Sequence, residues 1–238
     1  MRVNLKEIPL REALHYLGWK GTPLDRQVLC QIEETIDLAK AQLQPAITLR
    51  SFAIEENGAF AGTSFVPQGE DVRRMLAPCG EAVLMAATLG AQSERLLLRA
   101  QVQDSVRALL LDAVLSAAIE AVLDEQEAIL RKETDRRGLY LTDRFSPGYG
   151  DMPLLQTKEI CEALDAQRKI GLTVASSGIM IPRKSVTAVM GVSRTPVRLR
   201  PRGCAGCEAG ERCALRKDEN SQNGKAEAYD IQEKRNFA

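Results

Sequence analysis

The sequence predicts an α+β fold, and three observations carry that prediction. Strand-like segments come in sequential groups separated by long helical ones, without the regular alternation of a doubly wound sheet. Residues 82–89 form a continuous apolar run ending in Thr88-Leu89-Gly90, which suits a buried strand. Residues 105–132 form the longest helical pattern, with Leu109, Ala113, Ala117 and Ala121 at four-residue steps beside Leu110, Val114, Ala118 and Val122. So many alanines imply that another backbone packs closely on a central helix.

The elements follow in order. Residues 8–17 show helical spacing through Leu10, Ala13, Leu14 and Leu17, and Gly18 ends the helix. His15, the single histidine, reads as packed rather than catalytic. Thr22-Pro23 starts a second helix running to about residue 43, with Leu24, Val28, Ile32, Ile36 and Ala39 on one side. Cys30 in this helix reads as a small buried hydrophobe. After Pro45, residues 46–54 read as a strand, and Glu55-Glu56-Asn57-Gly58 as a turn. A second short strand is predicted over 60–66, and a short helix after Gly69-Glu70-Asp71. Cys79 precedes the buried strand 82–89 and reads as structural. Helices follow over 91–100 and 105–132, then a short strand over 139–141, a helix over 154–169, and strands over 172–175 and 186–192. Cys161 lies beside the inward face of helix 154–169 and reads as packed.

Composition narrows the function classes. The chain has 238 residues, 45% hydrophobic and 27% charged, as in ordinary globular proteins. Its length fits one domain over 1–192 and a basic, cysteine-containing, partly disordered tail over 193–238. Zero net charge gives no field that favours nucleic acid or a membrane. Aromatics at 4% argue against base-stacking platforms. The opening MRVNLKEIPLREAL lacks a signal-peptide core, and the richest apolar segment is broken by Arg107, Asp112 and Glu120. A cytoplasmic protein is expected, whose six cysteines serve as thiols or metal ligands.

The stretch 144–191 organises the rest. It opens on Arg144-Phe145-Ser146-Pro147-Gly148-Tyr149-Gly150, a proline-glycine turn. Arg144 offers a fork of donors suited to a carboxylate or phosphate. Gly148 and Gly150 allow close approach to the backbone, and Tyr149 adds a flat face and a hydroxyl. On local chemistry alone, the turn is a small-molecule site or an ordinary turn with a solvated arginine.

The whole stretch resembles the S-adenosylmethionine-binding activation domain of cobalamin-dependent methionine synthase. The resemblance rests on Arg144, Pro147, Gly148 and Tyr149, then Ser177, Met180 and Pro182, then Ser185, Val186 and Thr187, in that order and spacing. The family's Pro-Ala after the arginine is Phe145-Ser146 here, and its later Tyr-Tyr pair has no counterpart before Tyr229. The resemblance implies a curved antiparallel sheet with flanking helices. It implies a site at Arg144, Ser146, Pro147, Gly148, Tyr149, Ser177 and Ser185 for S-adenosylmethionine. Arg144 would pair with the ligand's carboxylate, the amides around Ser146 and Gly148 would hold one end, and Tyr149 would pack on it.

The implied task is reductive reactivation of a methionine synthase, as a stand-alone accessory protein. The domain holds S-adenosylmethionine over oxidised cobalamin, one electron arrives, and the methyl group traps the reduced cobalt. Its part is to orient both reactants. No Asp-x-His-x-x-Gly signature for cobalamin is visible, so the cobalamin is expected on a partner, a methionine synthase lacking this module.

Outside the resemblance lies the tail. Arg194, Arg198, Arg200 and Arg202 come without an intervening acid, and could dock an acidic flavodoxin or ferredoxin or form a solvated linker. Cys204, Cys207 and Cys213 follow, two of them at chelating spacing on a glycine-rich loop. They read as ligands to zinc or an iron–sulfur cluster, as a thiol loop, or as incidental cysteines; a metal site would take its fourth ligand elsewhere. Accordingly, the alternative function is a non-enzymatic module that caps the cobalamin protein or carries electrons to it.

Overall fold

A computed structural model describes residues 1–19 and 23–197. The elements run α1 (Leu10–Tyr16), α2 (Arg26–Gln42), β1 (Ala46–Ala53), α3 (Glu70–Leu76), β2 (Cys79–Thr88), α4 (Ala91–Gln103), α5 (Ser105–Arg136), β3 (Tyr140–Leu141), α6 (Gln156–Leu164), α7 (Ala166–Ile170), β4 (Thr173–Val174), β5 (Met180–Ile181) and β6 (Ser185–Ser193). Four strands form an antiparallel sheet in the order β1-β2-β6-β3, and β4 and β5 form a separate hairpin. The fold is α+β, an antiparallel sheet with flanking helices, as the sequence predicts.

The apolar run in β2 has a direct structural cause. β2 pairs with β1 on one side and β6 on the other, and both of its faces are covered. Val83, Met85 and Ala87 join the core built with α1, α2, α4 and α5. Ala82, Leu84 and Ala86 join a second core with Phe52, Phe60, Phe65, Val72 and Ile160. Alternate residues from 82 to 87 thus serve two cores, which is why both faces of the strand are apolar there.

α5 is the central helix, 32 residues long, or about 48 Å at helical rise. Asp104 caps it by accepting from the Val106 and Arg107 amides. Ala113, Ala117 and Ala118 are buried on it, where α1, α2 and α4 pack against its sides. Three acids on this helix, Glu120, Asp124 and Glu127, point toward the segment after β3.

Several expectations are corrected. No strand forms over 60–66. Instead Thr63 Oγ1 donates to the Phe60 carbonyl and accepts from the Phe65 amide, bending the chain so that both phenyl rings enter the second core. The helix predicted over 154–169 is two helices, divided where Asp165 takes a left-handed conformation with φ 54°. Cys30 is exposed rather than buried, because it faces away from the stripe of Ile32, Thr35 and Ala39. Cys79 and Cys161 are buried as expected, and burial pushes their thiols up to about 11 and about 12, Glu162 adding to the second. Cys204, Cys207, Cys213, Arg198, Arg200 and Arg202 lie outside the described residues. Among the described residues no helix is long and apolar enough to cross a membrane.

Candidate functional site

The turn after β3 is built by its own sequence and fixed from three sides. Phe145 pairs with Val189 of β6 through both backbone hydrogen bonds, at 2.9 and 2.8 Å. Pro147 and Gly148 then occupy the middle of a turn closed by the Tyr149 amide on the Ser146 carbonyl, at 3.2 Å. Gly148 has φ 90°, which its neighbours in that position would resist. Gly150 is also required on two counts: φ is 53°, and a Cβ there would stand 2.7 Å from Asp71 Oδ2.

Asp151 ties the turn to α3. Its carboxylate accepts from the Glu70 and Asp71 amides, satisfying the first N–H groups of a helix that has no cap of its own. Those backbone hydrogen bonds, Glu70 first, hold the Asp151 carboxyl below its ordinary value. The folded value is depressed, so the stabilisation is present above the unfolded value and is lost as pH falls through the folded one. Asp151→Ala should therefore lower the melting temperature near pH 7 and narrow the gap to the unsubstituted protein as pH drops below the carboxylate range. Thermal melts of both proteins across pH 2–7 check this; a gap that widens toward acid contradicts it.

Arg144 is the centre of the candidate site, and only 19% of its side chain is exposed. Nη2 lies 2.6 Å from Asp124 Oδ1 and 3.5 Å from Glu120 Oε2. Nε lies 3.0 Å from Glu127 Oε2. Nη1 is fully buried and has no hydrogen-bond partner among the described residues. A buried guanidinium donor without an acceptor is costly, and it marks a place where an acceptor is wanted.

The electrostatic surroundings are acidic. Burial raises the Glu120 carboxyl above its ordinary value; Arg144 opposes this, while Asp124 and Glu12 add to it. Tyr16, at the end of α1, has its hydroxyl pushed up to about 12, by burial first and then by Glu120 and Tyr149. Tyr16 thus lies near both Glu120 and Tyr149. Tyr149 is 70% exposed, and Tyr16 also presents part of its ring to solvent.

The structure treats the sequence-predicted residues unevenly. Arg144, Ser146, Pro147, Gly148 and Tyr149 share the turn. Pro147 is buried beneath it. The Gly148 amide donates to the Met152 carbonyl at 2.9 Å and is not free for a ligand. Ser177 is exposed at the tip of the β4–β5 hairpin, next to Gly178, and a Cβ on Gly178 would lie 3.2 Å from Leu154 Cγ. A Cβ on Gly148 would lie 3.3 Å from Leu154 Cδ1, so the hairpin tip and the turn flank one leucine.

Ser185 is elsewhere. It begins β6, four residues before the contact with Phe145. Its buried hydroxyl is engaged by Thr88 Oγ1 at 2.8 Å and the Pro182 carbonyl at 2.6 Å. Thr88 in turn lines a cavity of about 510 Å³ with Gln42, Gln92 and Lys169, away from the turn. Among the described residues no group of three or more histidines, cysteines or acids is placed to hold a metal ion.

Sequence reasoning missed Glu120, Asp124, Glu127 and Tyr16 as candidate site residues. The signal was present for the acids, which recur at four and three residues on α5 and so share a face. Nothing in the sequence places Tyr16 beside them, since that contact comes from α1 packing on α5.

No protein-family model matches this sequence, and no curated protein sequence does. A solved structure described as the crystal structure of the MetH reactivation domain bound to AdoHcy is similar in fold. The match covers 91% of this chain and 85% of that one, with 14% identity and a TM-score of 0.57. At this identity the likeness establishes the fold and leaves the chemistry to the residues described above.

Proposed function

We propose that the chain binds S-adenosylmethionine at the Arg144 turn and presents its methyl group to cobalamin held by a partner protein, reactivating a cobalamin-dependent methionine synthase. The single observation that carries this reading is the buried, unpartnered Nη1 of Arg144 beside a group of acids. The amino-acid end of S-adenosylmethionine matches that pattern. Its carboxylate supplies the acceptor that Nη1 lacks, and its ammonium suits Glu120 and Asp124. A raised Glu120 carboxyl is the expected state of such a group before a cation arrives. Tyr149 offers an exposed ring for the adenosine, and the Ser146 amide a donor. Similarity in fold to a reactivation domain that binds AdoHcy, the demethylated product of this ligand, supports the reading.

Each residue's part is binding and orientation. Arg144 and Glu120 anchor the amino-acid end, and the rigid turn fixes the sulfonium relative to the protein surface. Cobalamin held by the partner would supply a metal centre able to take one electron from a flavodoxin- or ferredoxin-type donor and then the methyl group of the sulfonium. No side chain here is assigned as a general acid or base.

The test is a reactivation assay. A cobalamin-carrying methionine synthase without this module is oxidised to its inactive state, then given S-adenosylmethionine and a one-electron reductant. Adding this protein should yield one S-adenosylhomocysteine per cobalamin and restore activity. No product above the level without the protein overturns the reading.

A further inference from the structure

We propose that Glu127 and Arg131 form a positioning pair that aims Arg144 at the ligand; this rests on the reading that Arg144 binds the amino-acid end of S-adenosylmethionine. Glu127 sits on α5 with its carboxylate only 4% exposed. A lone glutamate is rarely buried so deeply. Here it lies between two guanidinium groups: Oε1 accepts from Arg131 Nη2 at 2.7 Å, and Oε2 faces Arg144 Nε at 3.0 Å.

Arg131 is itself anchored. Its Nη1 donates to the Leu141 carbonyl at 2.8 Å, and its side chain lies 3.8 Å from Asp143 Oδ1. The next residue, Thr142, is locked to β6, exchanging bonds with Gly191 at 2.8 and 2.9 Å. One chain of contacts therefore runs from the sheet through Leu141 and Arg131 to Glu127 and on to Arg144.

The consequence for Arg144 follows from guanidinium geometry. The group is planar, and holding Nε and Nη2 fixes the plane. Glu127 holds the first and Asp124 the second. Nη1 is then the nitrogen left over, buried and without an acceptor. Asp124 is 58% exposed and a weak anchor in water, whereas Glu127 is buried and its pairing is little screened. Glu127 is thus the contact that sets which nitrogen is left without an acceptor. It touches no ligand and acts through Arg144.

A double-mutant cycle on S-adenosylmethionine affinity tests this. Glu127→Gln keeps the shape and removes the charge. Calorimetry should show it weakening binding at least about tenfold in the otherwise unsubstituted protein. In an Arg144→Ala background the same substitution should change affinity less than twofold, because the residue it positions is gone. Glu127→Asp should recover part of the loss. Equal losses in both backgrounds, or no loss in either, overturn the proposal. Should Glu127→Gln not fold, Arg131→Lys serves in its place, with the same non-additivity expected and the same additive result overturning it. Absence of binding to the unsubstituted protein is a different outcome, which removes the functional reading and this inference together.

Discussion

Arg144→Ala is expected to weaken S-adenosylmethionine binding by about ten- to a hundredfold. A hydrogen bond to a charged group contributes roughly 1.5–3 kcal/mol, and each 1.4 kcal/mol is about tenfold in affinity. The loss belongs at the upper end, because Nη1 is buried and its pairing with a carboxylate is little screened by water. The substitution also leaves Glu120 and Asp124 without the cation they share, so the site becomes hostile to a carboxylate. Calorimetric titration measures the effect, with a thermal melt to establish that the variant is folded. Unchanged affinity in a folded variant would place the ligand's amino-acid end somewhere other than Arg144.

The largest effect on stability is expected from Leu84→Ala, at about 2–5 kcal/mol. Leu84 is fully buried in β2 and serves the core that includes Phe52, Phe60 and Ile160. β2 is paired on both sides, so the strand cannot shift to fill the space left behind. Leu109→Ala is the matched control, since Leu109 is 61% exposed, and its cost should stay within about 0.5 kcal/mol. Denaturant titration of both variants checks the pair; equal midpoints would contradict the two-core assignment.

Much of the fold was legible because its strongest signals are local. The apolar run in β2 and the alanine-rich stripe of α5 each report a surface that must be covered, and both elements form where the pattern lies. Leu109 marks the limit of that logic. It continues the stripe in spacing, but stands near the start of α5 with its side chain largely in solvent. The two-helix break at Asp165 was not legible, since a left-handed aspartate carries no pattern in its neighbours. Phe60 and Phe65 look like strand residues by type, yet a threonine hydroxyl between them decides for a turn.

The site divides in the same way. Its turn is written in Pro147 and Gly148, whose backbone preferences act without help from the rest of the chain. The environment of Arg144 is not, because Glu120, Asp124 and Glu127 reach it across 24, 20 and 17 residues of sequence only once α5 lies beside β3. Ser185 shows the converse. It follows Arg144 in the right order along the sequence, but β6 places it four residues from the Phe145 contact, with its hydroxyl engaged by Thr88.

The central claim is that an arginine nitrogen enclosed by protein receives the carboxylate of S-adenosylmethionine. Direct titration of the purified protein with that compound, alone and together with a cobalamin-carrying synthase, addresses it. Saturable uptake of one molecule per chain is the predicted result. No uptake at millimolar ligand in either condition would contradict the account.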